Sequence, residues 1–113
     1  PATGVPGACV YGGEPLAPQR ARLRADPPRV LVATPGRLAD LMNQKAASLA
    51  QCACLVLDEA DQMLGLGFEP QVHAIVKQAP AARQTLLFTA TWPQAVRRLA
   101  EAYLRPGHAA TLL

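Results

Sequence analysis

The chain alternates between short apolar runs and segments with helical spacing. Four runs predict β-strands, at residues 8–11, 29–33, 53–58 and 85–88, each too short for a buried helix. The segments between them predict helices, and residues 109–113 predict the start of a fifth strand. Such alternation is typical of βαβ units around a parallel sheet. Because consecutive strand positions are apolar, we expect helices on both faces of that sheet.

The predicted helices begin at recognisable residues. The first covers residues 15–24 and is basic. Thr34 is a candidate N-cap of the second, with Pro35 in its first position. Pro70 and Pro93 open the next two, and a proline–glycine pair at 106–107 ends the last. Apolar side chains recur at helical spacing in these two helices: Val72, Ile75, Val76 and Ala79 in one, and Val96, Leu99, Ala100, Tyr103 and Leu104 in the other.

Composition narrows the class of protein. The 113 residues make one domain at most, and with 50% apolar and 17% charged residues the chain is not a disordered tail. No apolar run reaches the ~20 residues that span a bilayer, so no membrane partner is expected. No targeting signal is visible, and we expect an intracellular protein, nuclear, cytoplasmic or in an organelle.

The basic residues and the cysteines give limited information about ligands. The net charge is +3, and nine of the eleven basic residues are arginines, which suit phosphate binding or simply reflect genomic base usage. Cys9, Cys52 and Cys54 are an odd number without the spacing of a zinc site. Buried free thiols in a reducing compartment are therefore expected.

Three predicted strands end in polar residues, which parallel sheets place at one edge, where ligands bind. Residues 29–33 lead into Thr34-Pro35-Gly36-Arg37, residues 53–57 into Asp58-Glu59, and residues 85–88 into Thr89-Ala90-Thr91. Asp58 stands where a strand-end carboxylate holds Mg²⁺ through water. Glu59 is a candidate for polarising a water molecule. The alternative is that this acidic pair only begins a helix.

The other strand ends have alternatives as well. The helix start at residues 34–37 is either an anion site or an ordinary capped helix. Gly12-Gly13, after the first strand, is either a plain turn or a place where backbone approaches phosphate. Thr89 and Thr91 either cap the helix that Pro93 opens or hydrogen-bond a strand-end carboxylate such as Asp61.

One part of a nucleotide site is not found in these residues. A phosphate loop has the pattern G-x-x-x-x-G-K-[ST]. Lys45 and Lys77 are the two lysines, and neither follows a glycine.

The motifs together resemble those of the DEAD-box ATP-dependent RNA helicases. Residues 58–61 spell Asp-Glu-Ala-Asp, within a segment similar to the family's Walker B region. VLVATPGRLADLM resembles the TPGR region, QTLLFTAT the Ser/Thr-Ala-Thr motif, and VYGG the upstream GG element. Order and spacing agree over nearly the whole chain, although Thr89 stands where serine is usual. The resemblance implies an α/β fold, a partial RecA-like parallel sheet of the P-loop NTPase type flanked by helices.

The resemblance also implies roles and boundaries. Residues 1–113 would be the second half of the first RecA-like domain of an RNA helicase and ATPase, using ATP and Mg²⁺. Asp58 would coordinate Mg²⁺ through water, Glu59 would be the general base, and Asp61 would couple to Thr89 and Thr91. The sugar–phosphate backbone of RNA would be held, without sequence preference, by Gly12, Gly13, Thr34, Pro35, Gly36 and Arg37. The resemblance implies no particular protein partner. The family's phosphate loop should precede Pro1 and a second RecA-like domain should follow Leu113, so we expect this chain alone to be inactive.

Two other functions remain open at this point. One is a truncated protein that binds RNA or a protein partner without catalysis. The other is a nuclease that uses Asp58, Glu59 and Asp61 to hold two metal ions.

Overall fold

The computed structural model describes residues 4–104. Strands and helices alternate, with one additional short helix directly after the third strand. The strands are β1 (Gly7–Val10), β2 (Val30–Ala33), β3 (Cys54–Leu57) and β4 (Gln84–Leu87). The helices are α1 (Leu16–Ala25), α2 (Pro35–Asn43), α3 (Ala60–Gly65), α4 (Glu69–Gln78) and α5 (Gln94–Tyr103). The α/β fold class is confirmed, while the expected strand at 109–113 and the helix end at 106–107 lie outside the described residues.

The strands form two parallel pairs. β1 pairs with β2, with Gly7 opposite Val30, and β3 pairs with β4, with Cys54 opposite Gln84. Within the described residues these are two separate two-stranded sheets. In both pairs the carboxyl ends lie side by side, which places the polar residues after each strand close to those of its partner.

Helix starts agree with the sequence to within one residue. Thr34 is the N-cap of α2 and Pro35 its first residue. Pro93 is the N-cap of α5, and α4 begins one residue before Pro70. Proline suits these positions because the first turn of a helix leaves its N–H groups unpaired.

Three clusters of buried apolar side chains hold the described residues together. Leu41 and Val10 are buried between the first pair and its helices, and Leu57 and Val72 in the second. Leu38 and Met42 of α2 pack with Ile75 of α4, so these two helices join the halves. None of the described helices is long and apolar enough to cross a bilayer.

The expected cover on both sheet faces is found on one face only, within residues 4–104. Alternate strand positions are exposed, with Val32 61% and Val56 50% exposed. The predicted burial of the cysteines is wrong, because Cys9 and Cys54 lie on these open faces and Cys52 is only partly buried. All three thiols are free, as predicted.

Candidate functional site

The acidic pair lies at the edge where β3 ends. Asp58 follows the strand directly, and its Oδ1 accepts a hydrogen bond of 2.8 Å from the backbone N–H of Glu59. The next residue, Ala60, is fully buried and donates its N–H to the carbonyl of Phe88 over 3.1 Å. This bond anchors the start of α3 to the end of β4, while both carboxylates stay exposed. The pair is therefore a helix start as well as a candidate acidic site.

The backbone of Glu59 adopts a left-handed conformation, with φ 53° and ψ 48°. This conformation costs a residue other than glycine about 1–2 kcal/mol. Among the described residues, Lys45 is the other such case, with φ 58°. Lys45 ends α2 in a Schellman motif, in which Ala46 N–H donates to Leu41 and Lys45 N–H to Met42. Glu59 begins a helix instead, where N-caps are ordinarily extended, and strain of this kind is typical of functional sites.

The hydroxyl of Thr91 connects α3 to the segment after β4. Its Oγ1 donates to Oδ2 of Asp61 over 2.8 Å, and Thr89 Oγ1 donates to the carbonyl of Thr91, also over 2.8 Å. The hydrogen bond from Thr91 is the main reason that the pKa of Asp61 lies below its ordinary value. Helix α5 has no side-chain cap bond. Of the two alternatives for these threonines, Thr91 therefore hydrogen-bonds the carboxylate of Asp61 and does not cap α5.

The acidic pair lies in an open depression of about 570 Å³. Its lining residues are Asp58, Glu59, Asp61, Gln62, Phe88, Thr89 and Ala90. The name carboxylate site is used below for Asp58, Glu59, Asp61, Thr89 and Thr91.

A single strand-end carboxylate fits Mg²⁺, which keeps most of its waters and takes further ligands from phosphates. Within residues 4–104 no group of three or more Cys, His, Asp or Glu residues is arranged to hold a metal, which gives the two-metal nuclease no support.

The other predicted residues assemble at the edge where β1 and β2 end. Thr34 N–H donates to the carbonyl of Val10 over 3.1 Å, which brings the start of α2 beside the Gly12-Gly13 turn. Thr34 makes no side-chain cap bond, and Pro35 follows it. The first N–H groups of α2 therefore lie at an uncapped helix start. Gly12, Gly13 and residues 34–37 are called the glycine-turn site below.

Neither Gly12 nor Gly36 is required by the fold itself. Both lie outside the positive-φ region that favours glycine. A Cβ at Gly12 would meet no heavy atom within 4 Å, and one at Gly36 would meet the Phe68 ring at an ordinary 3.7 Å. The absence of a side chain at these positions therefore leaves open surface at which a ligand can approach the backbone.

Arg37 is half-buried and bonded within the chain. Its Nη1 donates to the carbonyl of Glu14 and to Oε1 of Gln19, both over 2.8 Å. Gln19 is completely buried. The sequence gives no sign of Gln19 or Glu14, because both look like surface residues of a weakly amphipathic, basic segment. Only their shared contact with Arg37 reveals them.

Comparison with known proteins gives a consistent family. The family model described as DEAD/DEAH box helicase matches residues 2–99. The chain is 56% identical over 93 residues to DEAD-box ATP-dependent RNA helicase 40 of Oryza sativa subsp. japonica, covering 82% of this chain and 12% of that protein. It is 46% identical over 110 residues to DEAD-box ATP-dependent RNA helicase 30 of Arabidopsis thaliana, covering 97% of this chain and 18% of that protein.

Solved structures agree. The yeast DEAD-box splicing factor Prp28 superposes with a TM-score of 0.81 at 38% identity, over 89% of this chain and 23% of that one. A DEAD box protein from the hyperthermophile Methanococcus jannaschii gives a TM-score of 0.83 at 34% identity, over 91% of this chain and 28% of that one. The chain spans less than a third of each of these four proteins. With its motifs in order and its strand ends assembled into two sites, the chain belongs to the DEAD/DEAH box helicase family.

Proposed function

We propose that this chain is the second half of the first RecA-like domain of an ATP-dependent RNA helicase. The names of its relatives give this activity to them, and the chain spans a small share of their length. In this proposal the complete protein couples ATP hydrolysis to separation of RNA strands. The 113 residues carry the acidic and RNA-binding parts, and the phosphate loop lies elsewhere.

The carboxylate site supplies the chemistry of hydrolysis in this proposal. Asp58 would hold Mg²⁺ through water, and the ion would supply neutralisation of phosphate charge. Glu59 accepts a proton from a water molecule as the water oxygen bonds to the γ-phosphorus and the bond to the β-phosphate oxygen breaks, giving ADP and phosphate. Glu59, whose backbone is strained, lines the same depression as Asp58.

The bond between Thr91 and Asp61 is the observation that carries the proposal. It measures 2.8 Å and joins the segments that follow β3 and β4. A displacement of the start of α3, where Asp61 lies, would therefore reach the Thr89–Thr91 segment through this hydrogen bond. Such a contact suits a protein in which nucleotide hydrolysis changes the grip on another ligand.

The glycine-turn site supplies the RNA contacts in this proposal. An uncapped helix start and open glycine backbone bind phosphate oxygens without reading bases. RNA binding is therefore independent of sequence and falls as salt concentration rises.

The test is RNA-stimulated ATP hydrolysis by the complete protein, compared with its Glu59→Gln variant. We expect turnover in the unaltered protein and its loss in the variant, with RNA affinity retained. Turnover that survives in Glu59→Gln would remove the role given to this carboxylate. The 113-residue chain alone is expected neither to bind ATP tightly nor to hydrolyse it, and RNA-stimulated turnover by this chain that Glu59→Gln abolishes would refute that expectation.

A second candidate function is RNA binding without catalysis by the chain itself. It is favoured by the glycine-turn site, because the bonds among Arg37, Gln19 and Glu14 are all made within the described residues. The measurement is the affinity of the chain for a labelled single-stranded oligouridine at several salt concentrations. Arg37→Ala should weaken binding about tenfold, as expected for a lost charged contact.

Arg98→Ala is the matched control for this measurement. Arg98 is an exposed arginine of α5, which packs against α3 in the other half of the molecule. Its removal takes away the same charge without touching the glycine-turn site. Equal losses in the two variants would mean that RNA responds only to net charge, contrary to the proposed site.

A further inference from the structure

Gln19 is a buried polar side chain with every kind of hydrogen-bonding atom in use. It lies in the first turn of α1 and is 0% exposed. Its Nε2 donates to the carbonyl of Tyr11 and to Oε2 of Glu14, both over 3.0 Å. Its Oε1 accepts from Nη1 of Arg37 over 2.8 Å. An amide has two N–H donors and a carbonyl oxygen that accepts, so both donors and the acceptor of this side chain have partners.

The partners of Gln19 are the residues that flank the glycine-turn site. Tyr11 immediately precedes Gly12, and Glu14 immediately follows Gly13. Arg37 belongs to the first turn of α2 and also donates to the carbonyl of Glu14. One side chain therefore holds both ends of the glycine turn and the start of α2.

Charge reinforces this arrangement. The amide of Gln19, followed by Arg22 and then the Tyr11 hydroxyl, holds the pKa of Glu14 below its ordinary value. Glu14 is therefore ionised near neutral pH and accepts hydrogen bonds from all three side chains. A charged acceptor gives shorter and stronger hydrogen bonds than a neutral one.

The contacts of Gln19 distinguish a role in positioning the glycine-turn site from a role in filling the core. Leu23, one turn further along α1, is also buried, but it contributes to the apolar cluster with Val10 and Leu41. The polar atoms of Gln19 have all their described hydrogen bonds at the flanks of the glycine-turn site. A group needed only to fill the core would be better replaced by an apolar side chain of similar size, because a buried amide is costly unless fully bonded.

We propose that Gln19 is a positioning residue, which fixes the Gly12-Gly13 turn at one distance from the start of α2 so that both contact the same RNA backbone. The inference rests on the RNA-binding function proposed for the glycine-turn site. Gln19 itself does not touch RNA. It acts through Arg37 and through the backbone at Tyr11 and Glu14.

The test compares Gln19→Leu with Leu23→Ala in the 113-residue chain. Both variants lose buried contacts of α1, but only the first loses the hydrogen bonds to the site. We expect Gln19→Leu to weaken binding of a labelled oligouridine about tenfold and to reduce the salt dependence of binding. Leu23→Ala should lower the melting temperature while its RNA affinity, measured well below that temperature, stays within about twofold of the unaltered chain. Equal losses in both variants, or unchanged affinity in Gln19→Leu, would overturn the inference.

Amide hydrogen exchange gives a second readout that needs no RNA. In Gln19→Leu we expect exchange at Thr34, whose N–H donates to the carbonyl of Val10 beside the turn, to accelerate about tenfold relative to amides of β3 and β4, because the turn and the start of α2 separate locally. In Leu23→Ala we expect acceleration without preference for Thr34. Exchange that is unchanged at Thr34 in Gln19→Leu would overturn the inference even if RNA affinity falls.

The two proposals fail in different ways. If the unaltered chain does not bind oligouridine at low salt, the proposal that the isolated glycine-turn site binds RNA is overturned. The proposed role of Gln19 in that binding is then overturned as well. If the unaltered chain binds and Gln19→Leu binds equally well, only the inference about Gln19 is lost.

Discussion

The glycine-turn site and the carboxylate site both lie where two parallel strands end, yet they are built differently. The first is held by a buried side chain, Gln19, with Arg37 and Glu14 bonded to it. The second is an open depression whose acidic pair is exposed, with Ala60 as its buried anchor. Its side-chain bond between segments is the one from Thr91 to Asp61.

The difference concerns how each site keeps its shape. In the glycine-turn site, side chains fix the distance between two backbone segments, and the backbone together with Arg37 is the proposed contact surface. In the carboxylate site, the backbone is strained at Glu59, and side chains are the proposed reacting groups. A rigid surface suits a ligand that is gripped, whereas a strained and open one suits a site that changes with its ligand.

The largest expected effect tests whether the two sites share one folding unit. Leu41→Ala, at a residue that is 0% exposed, should lower the free energy of unfolding by about 2–5 kcal/mol. Because Leu38, Met42 and Ile75 join the two halves, Trp92 fluorescence and far-ultraviolet circular dichroism should report one transition that shifts in both signals. Leu66→Ala, at a residue 70% exposed, is the control and should change stability by less than about 0.5 kcal/mol. A Trp92 transition that does not move in Leu41→Ala would show that the halves unfold separately.

The next effect compares the two left-handed residues. Glycine adopts this conformation without steric cost, so Lys45→Gly and Glu59→Gly should each raise the free energy of unfolding by about 1 kcal/mol. Denaturant unfolding measures both. Ala74→Gly, at an exposed position inside α4, is the control and should lower stability by about 1 kcal/mol.

The expected gain in stability has a different consequence for function at Lys45 and at Glu59. At Lys45 the gain costs no proposed function, because that residue only ends α2. At Glu59 the same substitution also removes the proposed base, so the stability of the protein would rise while its ATP hydrolysis would fall. If Glu59→Gly is instead destabilised while Lys45→Gly is stabilised, the strain attributed to Glu59 is contradicted.

The smallest effect is a pH dependence at the carboxylate site. The Thr91 hydrogen bond lowers the pKa of Asp61 below its ordinary value, so its stabilising contribution is fully present above that ordinary pKa. The contribution is lost as the pH falls through the lowered pKa, when the carboxylate gains a proton. Thr91→Val should move the pKa of Asp61 up towards its ordinary value, which carboxyl titration by NMR measures directly. The pKa of Glu14, whose partners lie in the other site, should stay unchanged in this variant, and an unchanged Asp61 titration would contradict the assignment.

Much of the fold and of the carboxylate site is predictable because its signals are local. Apolar runs mark the strands, proline and helical spacing mark the helices, and polar residues directly after strands mark the site. Asp58 and Glu59 follow from these rules together with the motif resemblance. The sequence predicts α3 only as an alternative, and this short helix of six residues begins inside the acidic motif.

The rest depends on contacts between segments distant in sequence. The apolar strands predict a sheet covered on both faces, but the exposure of Val32, Val56 and two cysteines depends on which helices pack there. Spacing leaves open whether Thr91 caps a helix or bonds a carboxylate, and a contact thirty residues away in sequence decides it.

The sequence by itself determined the order of strands and helices, the positions of the motifs and the family, because these depend on neighbouring residues and on motif spacing. Only the tertiary structure showed that Gln19 is buried, that Arg37 bonds to it and that Glu59 is strained. The physical reason is that burial, hydrogen-bond partners and backbone strain are set by packing between segments. A glutamine in a basic helix has the same local pattern whether it faces water or joins two ends of a ligand site.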